Sequence, residues 1–304
     1  MTRATAADLE VGVMLGTFGS HATPAAFRRI ATAASDLDFD AVWVGDHVVF
    51  PADIPDTYPF SRTGESPFDV SEPAYDAFEV LSHLAGVVDD VRLGTNTCIV
   101  PYRHPVTLAK QAFSLAGLSD GRFEFGVAPG WMETEFEVLD VPYEERGSRT
   151  DEFLDIFDRA TAEAEFAFDG PHHSFQETGF HPVPEERPPV WIGGRSGAAF
   201  RRVGEYGDGW TIFWDHPDEV AAARERIERA WADFDREGDP GVAVVRPVDV
   251  GGESDRLLSG PPASVAADLD DYAAAGATRV VLDFFTTDVD EQIAQLERFA
   301  DQVR

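Results

Sequence analysis

Short apolar runs alternate with longer amphipathic stretches along the whole chain. The short runs are rich in β-branched and aromatic residues, which favours buried β-strands. A series of strands separated by helix-length segments is typical of parallel βαβ units. Eight strands are predicted, over residues 10–15, 41–45, 91–100, 123–127, 190–194, 209–213, 242–250 and 279–284.

The longer stretches have the spacing of helices that bury one face. Thr23 followed by Pro24 is a helix start signal, because threonine caps the first turn and proline suits its first position. Helices are predicted over residues 23–37, 76–88, 104–119, 149–164, 196–207, 217–235, 262–276 and 290–300. Because each strand is followed by a helix, we predict an α/β fold with one domain, residues 1–304. Its architecture is a (β/α)8 TIM barrel with loop insertions at the C-terminal face.

Two segments are longer than an ordinary connection. Residues 49–75 are rich in proline, serine, threonine and aromatic residues, and residues 165–189 end in a proline-rich run. Long loops that follow barrel strands commonly cover the active site. Since residues 49–75 come directly after the second strand, we predict that they form a lid.

The chain is strongly acidic. Lys and Arg total 24 against 56 Asp and Glu, for a formal charge of -32, and Lys110 is the only lysine. This balance argues against binding to nucleic acids or anionic membranes, because both rely on basic surfaces. The acidic residues are spread along the chain, which indicates a solvated surface suited to high salt and hence a halophilic protein.

The cysteine content and the hydropathy of the chain bear on its compartment. Cys98 is the single cysteine and cannot form an internal disulfide, which is compatible with a reducing compartment. The N-terminal residues do not combine a cationic start with an apolar stretch, and no apolar run approaches membrane-spanning length. We therefore expect a soluble cytoplasmic protein.

Polar and aromatic residues follow the predicted strands at the end where barrel enzymes have their active sites. Asp46 and His47 come after the second strand, and an imidazole there could exchange a proton near neutral pH. The alternative is that His47 is a hydrogen-bonded structural residue at the start of a loop. After the fourth strand, Gly130 allows close backbone approach, and Trp131 either packs or stacks on a ligand ring.

Other candidates favour structural interpretations. Cys98 could be a nucleophile, but no histidine has a spacing that specifies its activation, which favours a small buried side chain. Residues 102–104 are interpreted as a polar turn before a helix. His172 and His173 lack the spacing of a metal motif, so we interpret them as a solvated turn and predict no metal site.

The stretch WIGGRSGAAFRR, residues 191–202, joins the fifth predicted strand to a helix. Gly193 and Gly194 let the backbone approach a ligand, and Arg195 and Ser196 precede the helix. Backbone amides, the positive end of the helix dipole and a guanidinium together suit a phosphate group. The alternative is a tight turn that needs glycine for steric reasons. Neither GxGxxG nor GxxxxGK[ST] is present, which argues against a dinucleotide-binding Rossmann site.

A family resemblance extends over nearly the whole chain. It is carried by FDAVWVGDHVVFP, by VRLGTNTCIVPYRHPVTLAKQAFSLAGLSDGRFEFGVAPGWMETEF, by VPYEERGSRTDEFLDI and by PPVWIGGRSGAAFRRVGEYGDGW. These segments resemble the luciferase-like monooxygenase family, in particular its flavin- and deazaflavin-dependent oxidoreductases. The resemblance implies a (β/α)8 barrel, usually a homodimer, that binds FMN or coenzyme F420 at its rim.

The resemblance also implies roles for single residues. Asp46 and His47 match the family's polar pair near the isoalloxazine ring, with His47 as the proton donor or acceptor. The Cys98–Ile99 bond matches a position where the family often has a non-prolyl cis peptide behind the ring. The other positions implied to bind the cofactor are Gly130, Trp131 and Glu135 along its length, and Gly193, Gly194, Arg195 and Ser196 at its phosphate.

Three functions are compatible with this resemblance. The first is an oxidoreductase that transfers hydride between coenzyme F420 and a small organic substrate, a choice favoured by the acidic, lysine-poor composition expected of a halophilic archaeon. The second is an FMN-dependent monooxygenase with a separate flavin reductase, and the third is a non-catalytic flavin-binding protein. Trp131 stands where family members that oxidise sugar phosphates have an acidic residue, which argues against that substrate class.

Overall fold

Parallel strands form the centre of the molecule in a computed structural model, which describes residues 4–52, 54, 57–58, 69–253, 257–284 and 286–304. In chain order, the strands of the main sheet and of two small sheets are β1 (Glu10–Leu15), β2 (Ala41–Val44), β3 (Arg92–Thr95), β4 (Cys98–Ile99), β5 (Phe123–Ala128), β6 (Glu165–Asp169), β7 (Ser174–Gly179), β8 (Val190–Gly193), β9 (Gly209–Phe213), β10 (Gly241–Pro247), β11 (Asp249–Val250), β12 (Ser259–Gly260) and β13 (Arg279–Asp283).

The main sheet closes on itself. Its order is β3–β2–β1–β13–β10–β9–β8–β5–β4, and β3 also pairs with β5. Because β4 continues β3 after a short interruption, the sheet is an eight-stranded barrel. The predicted (β/α)8 TIM barrel is confirmed, and the carboxyl ends of all its strands meet at one rim.

Helices surround the barrel. They are α1 (Pro24–Asp36), α2 (Ala77–Ala85), α3 (Pro105–Leu118), α4 (Glu133–Val138), α5 (Arg146–Glu163), α6 (Gly197–Glu205), α7 (Pro217–Asp233), α8 (Pro262–Ala274) and α9 (Val289–Gln302). The Thr23 side chain accepts a hydrogen bond from the backbone N–H of Ala26, in keeping with the predicted start of α1. Helix α4 is missing from the sequence-based prediction because its six residues are too few to show a repeating helical pattern of apolar positions.

Three predicted elements differ in detail. The predicted strand 91–100 is divided into β3 and β4 by residues 96–97, and the predicted strand 242–250 is divided into β10 and β11. Within residues 165–189, which the sequence indicates as a loop, β6 and β7 form an antiparallel hairpin. Phe166 stacks on Phe180, and Phe168 on Phe175, so aromatic packing supports this hairpin.

Two buried indoles fill the barrel interior. Trp43 and Trp191 lie with ring centroids 5.4 Å apart. Glycine provides the space for them, because a Cβ atom at Gly94 would lie 2.5 Å from the Trp43 ring, and one at Gly209 would lie 2.5 Å from the Trp191 ring. The opposite faces of the strands, which include Val42 and other aliphatic side chains, pack in the larger core shared with the helices.

The N-terminal end of the barrel is closed by buried ion pairs. Arg279 is 1% exposed and lies 4.9 Å from the Trp43 ring and 4.8 Å from the Trp191 ring. Its guanidinium donates to the Glu10 and Glu124 carboxylates, and Trp43 donates to Glu124 at 2.8 Å. These contacts fill this end, so a ligand site is expected at the opposite rim.

The predicted lid, residues 49–75, lies partly outside the described residues. Of its described part, Ala74 forms a bridge with Phe18, and Phe50 contacts Phe18 with ring centroids 5.3 Å apart. The lid therefore stays a prediction. Among the described residues, no helix combines the length and the apolar character needed to cross a membrane.

Candidate active site at the carboxyl ends of the strands

A buried carboxylate collects four donors at the rim. Glu135 is fully buried and lies 2.6 Å from Nδ1 of His47 through Oε2. The same oxygen accepts the Tyr102 hydroxyl at 2.8 Å, and Oε1 accepts the backbone N–H groups of Val48 and Val49 at 2.7 and 3.1 Å. Since an ionised carboxylate only accepts, these contacts favour a proton on Nδ1 of His47. Nε2 is then the nitrogen that can accept a proton.

The local chain explains how Glu135 reaches this position. Gly130 has φ +87°, and a Cβ atom there would lie 2.6 Å from the Ile99 side chain. This glycine turn brings the chain close to β4 before α4 begins. Phe136 then packs on Tyr102, with ring centroids 4.7 Å apart, and Glu135 is directed towards His47.

A second buried carboxylate, that of Asp46, holds β4 in place. Asp46 accepts two hydrogen bonds from Arg103, at 2.7 and 2.8 Å, and one from the Ile99 backbone N–H at 2.9 Å. Arg103 also donates to Asp76, the residue that caps α2, at 2.8 Å. These paired charges tie the loops after β2 and β4 to the start of α2.

Residues 102–104 do precede a helix, because His104 caps α3, but they are more than a simple polar turn. Tyr102 and Arg103 are almost completely buried, and they hold the two carboxylates described above. The sequence contains the residues but not the contacts, because Arg103 lies 57 positions from Asp46. The interpretation of His172 and His173 as a solvated turn is wrong, because both lie at the Glu152 carboxylate in a mostly buried pocket.

Aromatic side chains surround His47. Ring centroids lie 5.7 Å away for Phe18, 5.1 Å for Phe50 and 6.1 Å for Trp131. Trp131 in turn contacts Tyr58, at 5.4 Å. His47 is itself buried, so the apolar rings limit the access of water to it.

The stretch predicted to hold a phosphate has the expected turn. Gly194 adopts φ +110°, and the Ser196 side chain accepts from the Ala199 backbone N–H at the start of α6. Arg195, however, donates to the Asp215 carboxylate and to the Phe213 carbonyl. Burial raises the pKa of Asp215 above its ordinary value, although Arg195 opposes the shift. The positive charge of Arg195 is therefore already paired with a carboxylate.

Asn96 and Thr97 connect the two parts of the rim. Asn96 accepts the Thr211 hydroxyl at 2.8 Å, and its buried Nδ2 has no hydrogen-bond partner among the described residues. A Cβ atom at Gly193 would lie 3.0 Å from the Thr97 methyl group. A non-prolyl cis peptide bond lies at Asn96–Thr97 and not at Cys98–Ile99, so the position implied by the resemblance is wrong by two residues.

Cys98 has the structural environment that its sequence favours. Its side chain is fully buried in the core shared by the strands and the helices, and burial raises the pKa of its thiol well above the ordinary value. A thiol that resists ionisation is a poor nucleophile. Any contact of Cys98 with a cofactor would be through its backbone.

The structure brings the predicted site residues together in two groups at the same rim. One contains Asp46, His47, Ile99, Gly130, Trp131 and Glu135, and the other contains Gly193, Gly194, Arg195 and Ser196. A planar ring that carries carbonyl oxygens fits between the aromatic side chains around His47 and the backbone at Gly130. The Nδ2 atom of Asn96, which has no partner among the described residues, could donate to such an oxygen. The turn before α6 fits a phosphate through its amides and Ser196, with Arg195 shared with Asp215.

Comparisons with known proteins bear on the fold and on the family of this chain. An uncharacterised protein of Mycobacterium tuberculosis is 30% identical over 200 residues, which cover 66% of this chain and 69% of that protein. An F420-dependent secondary alcohol dehydrogenase superposes with a TM-score of 0.80 at 14% identity, over 100% of both chains. The FMN-bound oxygenating constituent of 3,6-diketocamphane monooxygenase from Pseudomonas putida superposes with a TM-score of 0.77 at 13% identity, over 97% of both chains. The sequence model of luciferase-like monooxygenases matches residues 5–256, and the chain belongs to this family.

Proposed function

We propose that the protein transfers hydride between coenzyme F420 and a small organic substrate, and that His47 exchanges the accompanying proton. The observation that carries the proposal is the buried His47–Glu135 pair, 2.6 Å apart, beneath an aromatic wall at the barrel rim. Family members are oxidoreductases and monooxygenases, and the fold neighbours include F420-dependent and FMN-dependent enzymes. A histidine held by a carboxylate in an apolar site is suited to proton exchange near neutral pH.

The residues of this chain divide the work. Glu135 fixes the orientation of the imidazole and favours the tautomer with the proton on Nδ1. Phe18, Phe50 and Trp131 exclude water from His47. The amides around Gly194 and Ser196 would hold the cofactor phosphate. The bound deazaflavin would supply the hydride chemistry.

The test begins with cofactor binding. The purified protein is titrated with F420 and with FMN, and affinity is measured by the change in cofactor fluorescence. We expect tighter binding of F420 than of FMN, and reduction or oxidation of F420 when substrate is added. Tighter FMN binding together with oxygen consumption would overturn this assignment.

Replacing His47 tests its role in the reaction. His47→Ala is expected to lower turnover by roughly 100-fold or more, since a positioned proton donor or acceptor contributes at least that much. The affinity for F420 should stay within about threefold, and His83→Ala, an exposed residue of α2, is the matched control. Full turnover by His47→Ala would remove His47 from the mechanism. Tight binding without any turnover by the unmodified protein would support a non-catalytic flavin-binding protein instead.

An FMN-dependent monooxygenase is the second candidate. It is supported by the similarity of the fold to an FMN-bound oxygenating constituent. In that case the protein would consume oxygen only when a separate reductase supplies reduced FMN. We also propose a homodimer, which sedimentation equilibrium of the purified protein would test.

A further inference from the structure

A cavity of about 380 Å³ lies at the carboxyl ends of β1 and β13. Met14, Phe18, Phe50 and Phe284 form much of its apolar wall. Phe18 and Phe50 also contact the His47 ring, so the cavity adjoins the candidate active site. Its volume is in the range that holds small organic ligands.

Asp283 presents a carboxyl group to this cavity. Alternate residues of β13 face the barrel interior, and Arg279 and Val281 both do so, which directs Asp283 inward as well. The Asp283 carboxyl has no hydrogen-bond partner among the described residues, and it lines the cavity. Burial raises the pKa of Asp283 from 3.8 to about 7. The group is therefore neutral in a large fraction of molecules near neutral pH.

His21 also lines the cavity, but its two ring nitrogens pack against the backbone at Gly16 and Gly19. Its Nδ1 is buried and makes no hydrogen bond to the described residues. The ring fits against the backbone at Gly16, where an added Cβ atom would lie 2.7 Å from Nε2. Burial lowers the pKa of His21, although nearby Glu72 opposes the shift, so the ring is mostly neutral. Asp283 is therefore the group that we assign to a ligand oxygen in this cavity.

Charges around the cavity select against anions. Asp69, Glu72 and Asp283 are its acidic residues, and the described lining residues include neither lysine nor arginine. Tyr58 is the other titratable group near Asp283, and burial, with a smaller contribution from Asp283, raises the pKa of Tyr58 to about 12. Tyr58 therefore stays neutral, and no described neighbour of the cavity offers a permanent positive charge to an anionic ligand.

We infer that this cavity is the substrate subsite of the proposed oxidoreductase, and that it takes a small uncharged molecule whose oxygen hydrogen-bonds to Asp283. That the ligand of this cavity is a substrate rests on the proposed function. The binding preference itself is a property of the cavity. A protonated Asp283 donates to an alcohol or carbonyl oxygen, and the apolar walls cover the carbon skeleton.

Three monosubstituted cyclohexanes test this inference without cofactor. Cyclohexanol, cyclohexanecarboxylate and cyclohexylammonium are titrated into the full-length protein at pH 6, and binding is measured by saturation-transfer NMR. We expect cyclohexanol to bind at least about tenfold more tightly than cyclohexanecarboxylate, since an anion in this apolar cavity loses its hydration without gaining a cationic partner. Equal affinities for these two probes, or tighter binding of cyclohexylammonium than of cyclohexanol, would overturn the inference.

Variants of Asp283 locate the preference. Asp283→Asn is expected to keep cyclohexanol binding, because an amide still donates. At pH 8, where the unmodified carboxyl is mostly ionised, Asp283→Asn should also reduce the discrimination against cyclohexanecarboxylate several-fold. Asp283→Leu should weaken cyclohexanol binding at least about fivefold, and Asp301→Asn, an exposed residue of α9, is the matched control. Unchanged discrimination in Asp283→Asn would overturn the role of Asp283. Circular dichroism confirms that each variant is folded before binding is compared.

Competition with cofactor separates this inference from the proposed function. Saturating F420 should leave cyclohexanol bound if the cavity is a separate substrate subsite. Displacement of cyclohexanol by F420 would overturn the inference, because the cavity would then belong to the cofactor. If F420 does not bind and the probe selectivity persists, the proposed function fails while the preference for an uncharged ligand stands.

Discussion

The two ends of β13 differ in whether the ionisable side chain that each end directs into the barrel has a partner. Arg279, at the amino end, is stacked between two indoles and donates to two carboxylates. Asp283, four positions later at the carboxyl end, also faces inward but lines a cavity without a hydrogen-bond partner among the described residues. One strand thus contributes a satisfied ion-pair network to stability and an unsatisfied carboxyl to a ligand site.

Carboxyl pKa values reflect the same contrast. Burial opposes the ionisation of Glu10, but Arg279 and Arg92 outweigh it and hold the pKa of Glu10 below its ordinary value. Among the described residues that line the cavity, no lysine or arginine compensates for the burial of Asp283, and its pKa rises to about 7. Burial alone therefore does not determine the charge of a carboxyl group in this barrel. The neighbouring guanidinium groups do.

The largest expected effect comes from breaking the closed end. Arg279→Met leaves Glu10 and Glu124 without their main partner, and we expect a loss of about 3–5 kcal/mol in the free energy of unfolding. Urea unfolding followed by circular dichroism measures it. Arg29→Met removes an exposed pair with Asp290 and should cost less than about 1 kcal/mol. Similar losses in the two variants would show that burial of the network does not matter.

At the opposite end of the barrel, the Glu135 carboxylate positions His47 instead of pairing with an arginine, and Glu135→Gln tests this role. The amide is a weaker acceptor for the proton on Nδ1 of His47, so turnover should fall roughly 10–100-fold. The pH–rate profile should shift as well, which a purely structural role would not cause. Glu137→Gln, an exposed residue of the same helix, should have wild-type kinetics. An unchanged pH profile in Glu135→Gln would contradict the positioning role.

In contrast to these two losses, Asp283→Asn is expected to give a gain in stability. Unfolded, this carboxyl ionises near 3.8, and folded near 7, so the folded protein holds more protons between these values and loses stability as the pH rises through them. Asparagine does not ionise, and the variant should melt roughly 3–6 °C higher at pH 8. The gain should shrink steadily towards pH 4. A gain that is the same at pH 4 and pH 8 would rule out ionisation of Asp283 as its cause.

The fold was accessible to sequence analysis because strand and helix periods are local. The predicted bounds of the strands at residues 10–15 and 209–213 agree with β1 and β9. His47 and Trp131 could likewise be predicted as site residues, because they follow strands at the end where barrel enzymes have their active sites. Family resemblance added Glu135, whose contact with His47 spans 88 positions and has no local pattern.

Other features of the site could not be predicted because they depend on how distant segments meet. Asp283 is one of many carboxyl groups in an acidic chain, and only the inward direction of β13 distinguishes it. Arg195 looked like a cation for a phosphate, but Asp215, which pairs with it, follows the next strand. The interruption between β3 and β4 is equally invisible in a run of apolar and small residues.

The indoles inside the barrel also constrain how this sequence can diverge. A methyl group added at Gly94 or Gly209 would collide with Trp43 or Trp191, respectively, so either glycine can change only after, or together with, its tryptophan. Arg279 depends on both rings for its stacking surface, which extends the coupling to a fifth residue. These five positions form one epistatic unit. Substitutions that are harmful singly would be tolerated only in combination, and relatives should therefore keep or replace the set as a whole.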